Sequence, residues 1–162
     1  VFIYIEDDIL VPNKAINYWL KYNEMLIDLN YNLGFVRIEV ENGAEYITDI
    51  VNHLNTIIHL NDQPFCVNNA TYCAFWVYNK CEFNKFVNHP YYDPNNVPNY
   101  GTRERSAIGL HGCGTIWYKN TVIPMINDKL IEECKIYHMP NNYVNDPTNG
   151  FATIKFDEIV KL

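Results

Sequence analysis

The chain opens on an unbroken apolar run, Val1-Phe2-Ile3-Tyr4-Ile5, followed at once by Glu6-Asp7-Asp8. The run has the length and the β-branched, aromatic content of a buried strand, so three carboxylates sit where that strand leaves the core. Pro12 suits the first turn of a helix, and Ala15, Ile16, Trp19, Leu20, Leu26 and Ile27 recur at helical spacing, predicting a helix that ends near Asn30 to Asn32. Leu33 to Val40 then alternates, with Val36, Ile38 and Val40 on one face and Phe35, Arg37 and Glu39 on the other. Asn42-Gly43 predicts a hairpin turn that returns the chain through Glu45 to Thr48. A short strand is expected around Thr56 to Leu60. The almost wholly apolar stretch from Tyr72 to Tyr78 reads as a central strand covered on both faces.

A short helix from Lys80 to Val87 is expected next, and then a loop from His89 to Thr102, rich in Pro, Asn and Tyr, with no periodicity. Thr102 can cap a helix running from Arg103 to about Leu110, before the turn Gly112-Cys113-Gly114. Strand-like segments follow at Ile116 to Tyr118 and Thr121 to Ile126, and Ile136-Tyr137-His138 precedes a tail. The order of elements is α/β, a mixed sheet flanked by helices, with no internal repeat and no second domain.

At 162 residues this is a single domain, and 48% hydrophobic with 15% aromatic content excludes a disordered chain. A net charge of -7 speaks against a nucleic-acid backbone as partner, and means that an anionic ligand needs help from a cation. No apolar stretch approaches the roughly 20 residues of a membrane span, so no membrane contact is expected within the segment. Because Val1 already lies in a strand-like run, the chain is expected to be a piece of something longer, and where it acts stays open between the cytoplasm and a secretory lumen. Five cysteines without CxxC spacing predict buried free thiols rather than a zinc ribbon, and the Asn69-Ala70-Thr71 sequon carries little weight by itself.

Crowded carboxylates raise one another's pKa unless a cation or a set of donors compensates them, and oxygen ligands favour Mg²⁺, Mn²⁺ or Ca²⁺. The competing reading is a solvated strand end in which an acid caps the following helix. His138, after a short apolar segment and before Pro140, is expected to be pinned on a strand end. Glu104 belongs to the first turn of the expected helix, flanked by Arg103 and Arg105, where the dipole and the guanidinium groups favour its ionised form. A helix-start salt bridge would use the same residues. Trp76 and Tyr78 read as core, whereas Tyr91, Tyr92 and Tyr100 in the long loop are candidates for stacking on a sugar face. No Ser-His-Asp set, P-loop or GxGxxG is present.

Taken together, Tyr4-Ile5-Glu6-Asp7-Asp8-Ile9, the amphipathic helix after it, Gly34-Phe35-Val36-Arg37-Ile38-Glu39, Arg103-Glu104-Arg105 and His138-Met139-Pro140-Asn141-Asn142-Tyr143 resemble the GT-A-fold glycosyltransferases whose DXD-type motif is written Glu-Asp-Asp. The resemblance begins at the metal motif, which implies the C-terminal part of a GT-A, Rossmann-like domain without the nucleotide-binding portion that normally precedes it. It implies Asp8 as ligand of Mn²⁺ or Mg²⁺, with Glu6 and Asp7 supporting at the nucleotide-sugar donor and His138 as second metal ligand. It further implies Glu104 as general base toward a hydroxyl acceptor, and Arg103 or Arg105 facing the diphosphate. The activity implied is transfer of a sugar from a nucleotide-diphosphate sugar to a hydroxyl of a glycan, protein or lipid, with inversion. The alternative class is a non-catalytic carbohydrate- or calcium-binding module that uses the same acids for a structural ion. A two-metal phosphohydrolase is disfavoured, because no further acids cluster with the triplet.

Overall fold

A computed structural model of the protein describes residues 1–96, 119–146 and 148–161. The first apolar run forms β1 (Phe2–Ile5), the acids occupy the turn behind it, and β2 (Ile9–Leu10) follows. Helix α1 (Asn13–Asp28) buries Ala15, Tyr18, Trp19, Tyr22 and Leu26, the stripe expected of an amphipathic helix on a core. Its N-cap is Pro12 and its first turn holds no acid, so the carboxylates of the triplet do not cap it.

Next come β3 (Asn32–Leu33), β4 (Val36–Glu41), β5 (Ala44–Ile47), β6 (Ile57–Leu60), β7 (Gln63–Asn68) and β8 (Phe75–Tyr78). Helix α2 (Lys80–Val87) is capped by the Asn79 side chain, which accepts from the Glu82 N–H. Single 3₁₀ turns at Pro90–Tyr92 and Pro94–Asn96 occupy the start of the long loop. The later strands are β9 (Thr121–Ile126), β10 (Lys129–Leu130), β11 (Lys135–His138) and β12 (Ile154–Lys155). Tyr100, the helix expected from Arg103, the Gly112-Cys113-Gly114 turn and the strand at Ile116 to Tyr118 lie outside the described residues.

The fold is mixed α/β. One five-stranded sheet runs in the order β12-β5-β4-β11-β2, antiparallel except for the parallel pair β4 and β11. The β4–β5 hairpin turns through Asn42 and Gly43 at φ of 51° and 78°, the paired positive values that match strand twist and that glycine adopts without strain. A second sheet runs β10-β9-β7-β6, with β3 parallel to β9. Helix α1 packs on β3 of the second sheet, and its Tyr18 hydroxyl donates to the Gly34 carbonyl, between β3 and β4, at 2.7 Å. The backbone at Gly34 approaches β9 so closely that an added Cβ would lie 2.8 Å from Ile123 Cγ1 and 2.9 Å from Thr121 Cγ2.

Four expectations are corrected here. Strand β7 was not anticipated, because Pro64 and two polar ends weaken its strand pattern; Pro64 sits next to the strand's first residue, where a missing N–H is tolerated. Strand β8 is buried on both faces as expected, yet among the described residues it pairs with β1 alone, in a two-stranded ribbon rather than at the centre of a sheet. Strand β1 has that one partner among the described residues, and Phe2, Ile3 and Ile5 are exposed rather than buried. Trp76 and Tyr78 are core, as expected, stacked at 4.3 Å in a cluster with Tyr4, Phe83 and Phe86. Cys66, Cys73 and Cys134 are buried free thiols, and burial pushes the Cys73 thiol up to about 12; Cys81 departs from the expectation by being exposed. No helix among the described residues is long and apolar enough to cross a membrane.

Candidate functional site

Strand register decides which side chains meet. Strand β11 lies between β2 and β4, with His138 opposite Ile9 and Tyr137 opposite Ile38. The Met139 N–H donates to the Asp8 carbonyl at 2.9 Å and extends that pairing by one residue. Asp8 in the turn that enters β2, His138 on β11 and Glu39 on β4 therefore arrive side by side. Glu39 and His138 lie toward the C-terminal ends of the parallel pair, the end of a parallel sheet where ligands are commonly bound.

Glu39 is fully buried, faces His138 and accepts from two backbone N–H groups. Its Oε1 takes His138 Nδ1 at 2.5 Å and the Tyr143 N–H at 3.2 Å, and its Oε2 takes the Val144 N–H at 2.6 Å. The turn that supplies these N–H groups is fastened by Asn141, at φ 50°, whose amide accepts from the Val40 N–H at 3.2 Å and donates to the Val40 carbonyl at 2.8 Å. Where the His138 proton sits on Nδ1, facing Glu39, Nε2 is left toward Asp8 Oδ2, 3.3 Å away. Asp8 Oδ1 is buried with no hydrogen-bond partner among the described residues. In a neutral His138 of this tautomer, an imidazole lone pair and a carboxylate face one another across a gap that calls for a proton or a cation.

The triplet does not behave as one crowd of carboxylates, which corrects the expectation of mutual repulsion. Glu6 is buried and its Oε1 accepts from the hydroxyls of Tyr4 at 3.2 Å and Tyr72 at 3.1 Å, while Asp7 is exposed. Only Asp8 turns to His138. In a continuing strand Glu6 and Asp8 would share a face; the turn from Glu6 to Ile9, closed by the Ile9 N–H on the Glu6 carbonyl at 3.2 Å, breaks that alternation and lets the two carboxylates part.

Beside His138 lies a buried ion pair. Arg37 donates from Nε to Asp49 Oδ2 at 2.8 Å and from Nη2 to Asp49 Oδ1 at 2.6 Å, with Thr48 Oγ1 accepting at 2.9 Å. Burial pulls the Arg37 pKa down, but the Asp49 carboxylate outweighs it and the group stays protonated. The guanidinium lies over two rings, 5.3 Å from the centroid of Tyr72 and 5.4 Å from that of Tyr143. The Tyr143 ring also lies 5.2 Å from that of His138.

The structure thus brings Asp8 and His138 together, sends Glu6 to the tyrosine hydroxyls and leaves Asp7 in solvent. Glu104, Arg103 and Arg105 lie outside the described residues, as do Tyr100 and the ring of Tyr91. Tyr92 is exposed, its ring edge-on to Phe86 at 5.3 Å. Sequence reading placed Arg37 and Glu39 on one face but gave neither a role, and it passed over Asp49, Tyr72 and Tyr143. The available signal was an Arg and a Glu alternating with Val and Ile in a hairpin strand, since charges buried on such a strand must find partners.

As a metal site the donor set is sparse: no group of three or more His, Cys, Asp or Glu side chains converges among the described residues. Two protein donors, one carboxylate and one imidazole, still suit Mn²⁺ or Mg²⁺ that retains water or phosphate oxygens in its other positions, and the imidazole favours Mn²⁺ over Ca²⁺. The orphaned Asp8 Oδ1 fits such an ion, as does His138 with its proton on Nδ1 toward Glu39. No protein-family model, curated protein or solved structure matches the chain, so its chemistry rests on these residues alone.

Proposed function

We propose that the chain is part of a GT-A-type glycosyltransferase that moves a sugar from a nucleotide-diphosphate donor to a hydroxyl acceptor, with Mn²⁺ or Mg²⁺ held by Asp8 and His138. The observation that carries this reading is the line of Glu39, His138 and Asp8, in which a buried carboxylate fixes an imidazole so that its free nitrogen meets a second carboxylate. A cation bound there would neutralise the departing diphosphate. Every other part is played by the protein's own side chains. Glu39 holds the His138 tautomer and ring plane, and Asp8 supplies the charge that draws a cation to the strand end. Glu6, held by the Tyr4 and Tyr72 hydroxyls, braces the near side of the donor site, and Asp7 adds negative charge at its exposed rim. Glu104 takes the proton of the attacking acceptor hydroxyl, with Arg103 or Arg105 toward the diphosphate, as the resemblance implies.

The test is a transfer and donor-hydrolysis assay over a panel of UDP- and GDP-sugars, with Mn²⁺ or with EDTA, on the wild-type protein and Asp8→Asn. The substitution removes a ligand charge without removing volume. Chelator-sensitive turnover that vanishes in Asp8→Asn, with an unchanged thermal melt, is expected. Wild-type turnover by Asp8→Asn in Mn²⁺ would overturn the assignment.

A further inference from the structure

We propose that Arg37 is a positioning residue that sets the two halves of the site against each other, its guanidinium lying over the rings of both Tyr72 and Tyr143. Beyond Tyr72 lies Glu6, hydrogen-bonded to the Tyr72 hydroxyl at 3.1 Å; beyond Tyr143 lies His138, with ring centroids 5.2 Å apart. The chain of contacts therefore runs from the first acid of the triplet to the histidine through a single buried cation, at 5.3 and 5.4 Å from the two ring centroids. Asp49 and Thr48 fix that cation through Nε and Nη2, a two-point hold that sets the plane of the guanidinium.

Stability alone does not account for the pair. A buried ion pair adds little over apolar residues of the same volume, because desolvation consumes most of the attraction. What an apolar replacement would lack is a planar cation able to attract both aromatic rings at once. On the proposed reading of the site, the ring that Arg37 seats on the His138 side keeps the imidazole aimed at Asp8. Lysine preserves the charge facing Asp49 but has no plane, so Arg37→Lys separates the two roles.

The experiment uses the intact protein. His138 ring signals are followed in ¹H–¹³C NMR spectra, assigned by their disappearance in His138→Gln, and Mn²⁺ affinity is measured by EPR titration of free Mn²⁺. Arg37→Lys is expected to unfold cooperatively, to shift the His138 ring signals while those of His53 and His59 stay in place, and to bind Mn²⁺ about tenfold more weakly. Unmoved His138 signals in folded Arg37→Lys overturn the proposal, whether or not Mn²⁺ binds. Should Arg37→Lys not fold, Asp49→Asn decides on the same signals, since it frees the guanidinium without changing the volume beside it. Failure of the wild-type protein to bind Mn²⁺ defeats the metal reading, while the histidine signals still decide the role of Arg37.

Discussion

Replacing Glu39 by Gln tests the core of the site with a change of one atom. Glu39 is fully buried and serves three donors with two oxygens: His138 Nδ1 and the Tyr143 N–H on Oε1, and the Val144 N–H on Oε2. An amide has one acceptor oxygen. With that oxygen kept on His138 and Tyr143, the NH₂ group points at the Val144 N–H, which sits only 2.6 Å from the atom replaced. An unmet buried donor costs about 1–3 kcal/mol, and weakening the remaining charge-assisted bonds to neutral ones costs about 1 kcal/mol each. The expected loss is about 3–5 kcal/mol, a large share of the roughly 5–15 kcal/mol of an ordinary domain. In a domain of this size that lowers Tm by about 2–4 °C for each kcal/mol lost. Urea unfolding followed by tryptophan fluorescence gives the free energy, and an unchanged slope confirms that the denatured state is not what changed. Mn²⁺ affinity should fall by about 10- to 100-fold in the same variant, because the imidazole loses the acceptor that fixes it. A loss below about 1 kcal/mol would refute the reasoning, since it would mean that the Tyr143 and Val144 N–H groups do not depend on a charged acceptor.

Gly34→Ala should destabilise by about 1–3 kcal/mol in the same urea assay, since its Cβ would fall 2.8 Å from Ile123 Cγ1 in a buried β-branched layer; a neutral result would show that β9 can retreat at no cost. Glu82 is buried, and although burial raises its pKa, the Lys119 and Lys85 ammonium groups outweigh that and hold it below the usual carboxylate range. A depressed folded pKa means stability that is present above the unfolded value of about 4.3 and lost as pH falls through the folded one. Glu82→Gln should therefore be less stable than wild type at pH 7 and show a shallower acid limb in pH-dependent melting; parallel curves would remove Glu82 from the acid transition. Glu104→Gln should lower turnover by about 10²- to 10⁴-fold with donor affinity little changed. An equal loss of donor binding would instead make Glu104 a salt-bridge partner.

Local pattern was enough for much of this molecule. The 3.6-residue recurrence of Ala15, Trp19 and Leu26 marked α1, the Asn42-Gly43 pair marked the β4–β5 hairpin, and Pro140 after a short apolar run placed His138 at a strand end. These signals sit within a few residues of one another, so composition and spacing suffice to read them. The same reading placed Asp8 and His138 in one site from a resemblance that the backbone pairing of β2 with β11 is consistent with. What spacing does not carry is the partner of each strand. Nothing between residues 36 and 41 states that β4 lies beside a strand almost a hundred residues later, yet that parallel pairing is what buries Glu39 and puts His138 against it. Nor does an apolar run state how many neighbours it will have: β1 reads as buried because its side chains are apolar, and is exposed because it pairs with β8 alone among the described residues. Residue type and period are fixed by the chain itself, whereas burial and register depend on which distant segment occupies the next position in the sheet.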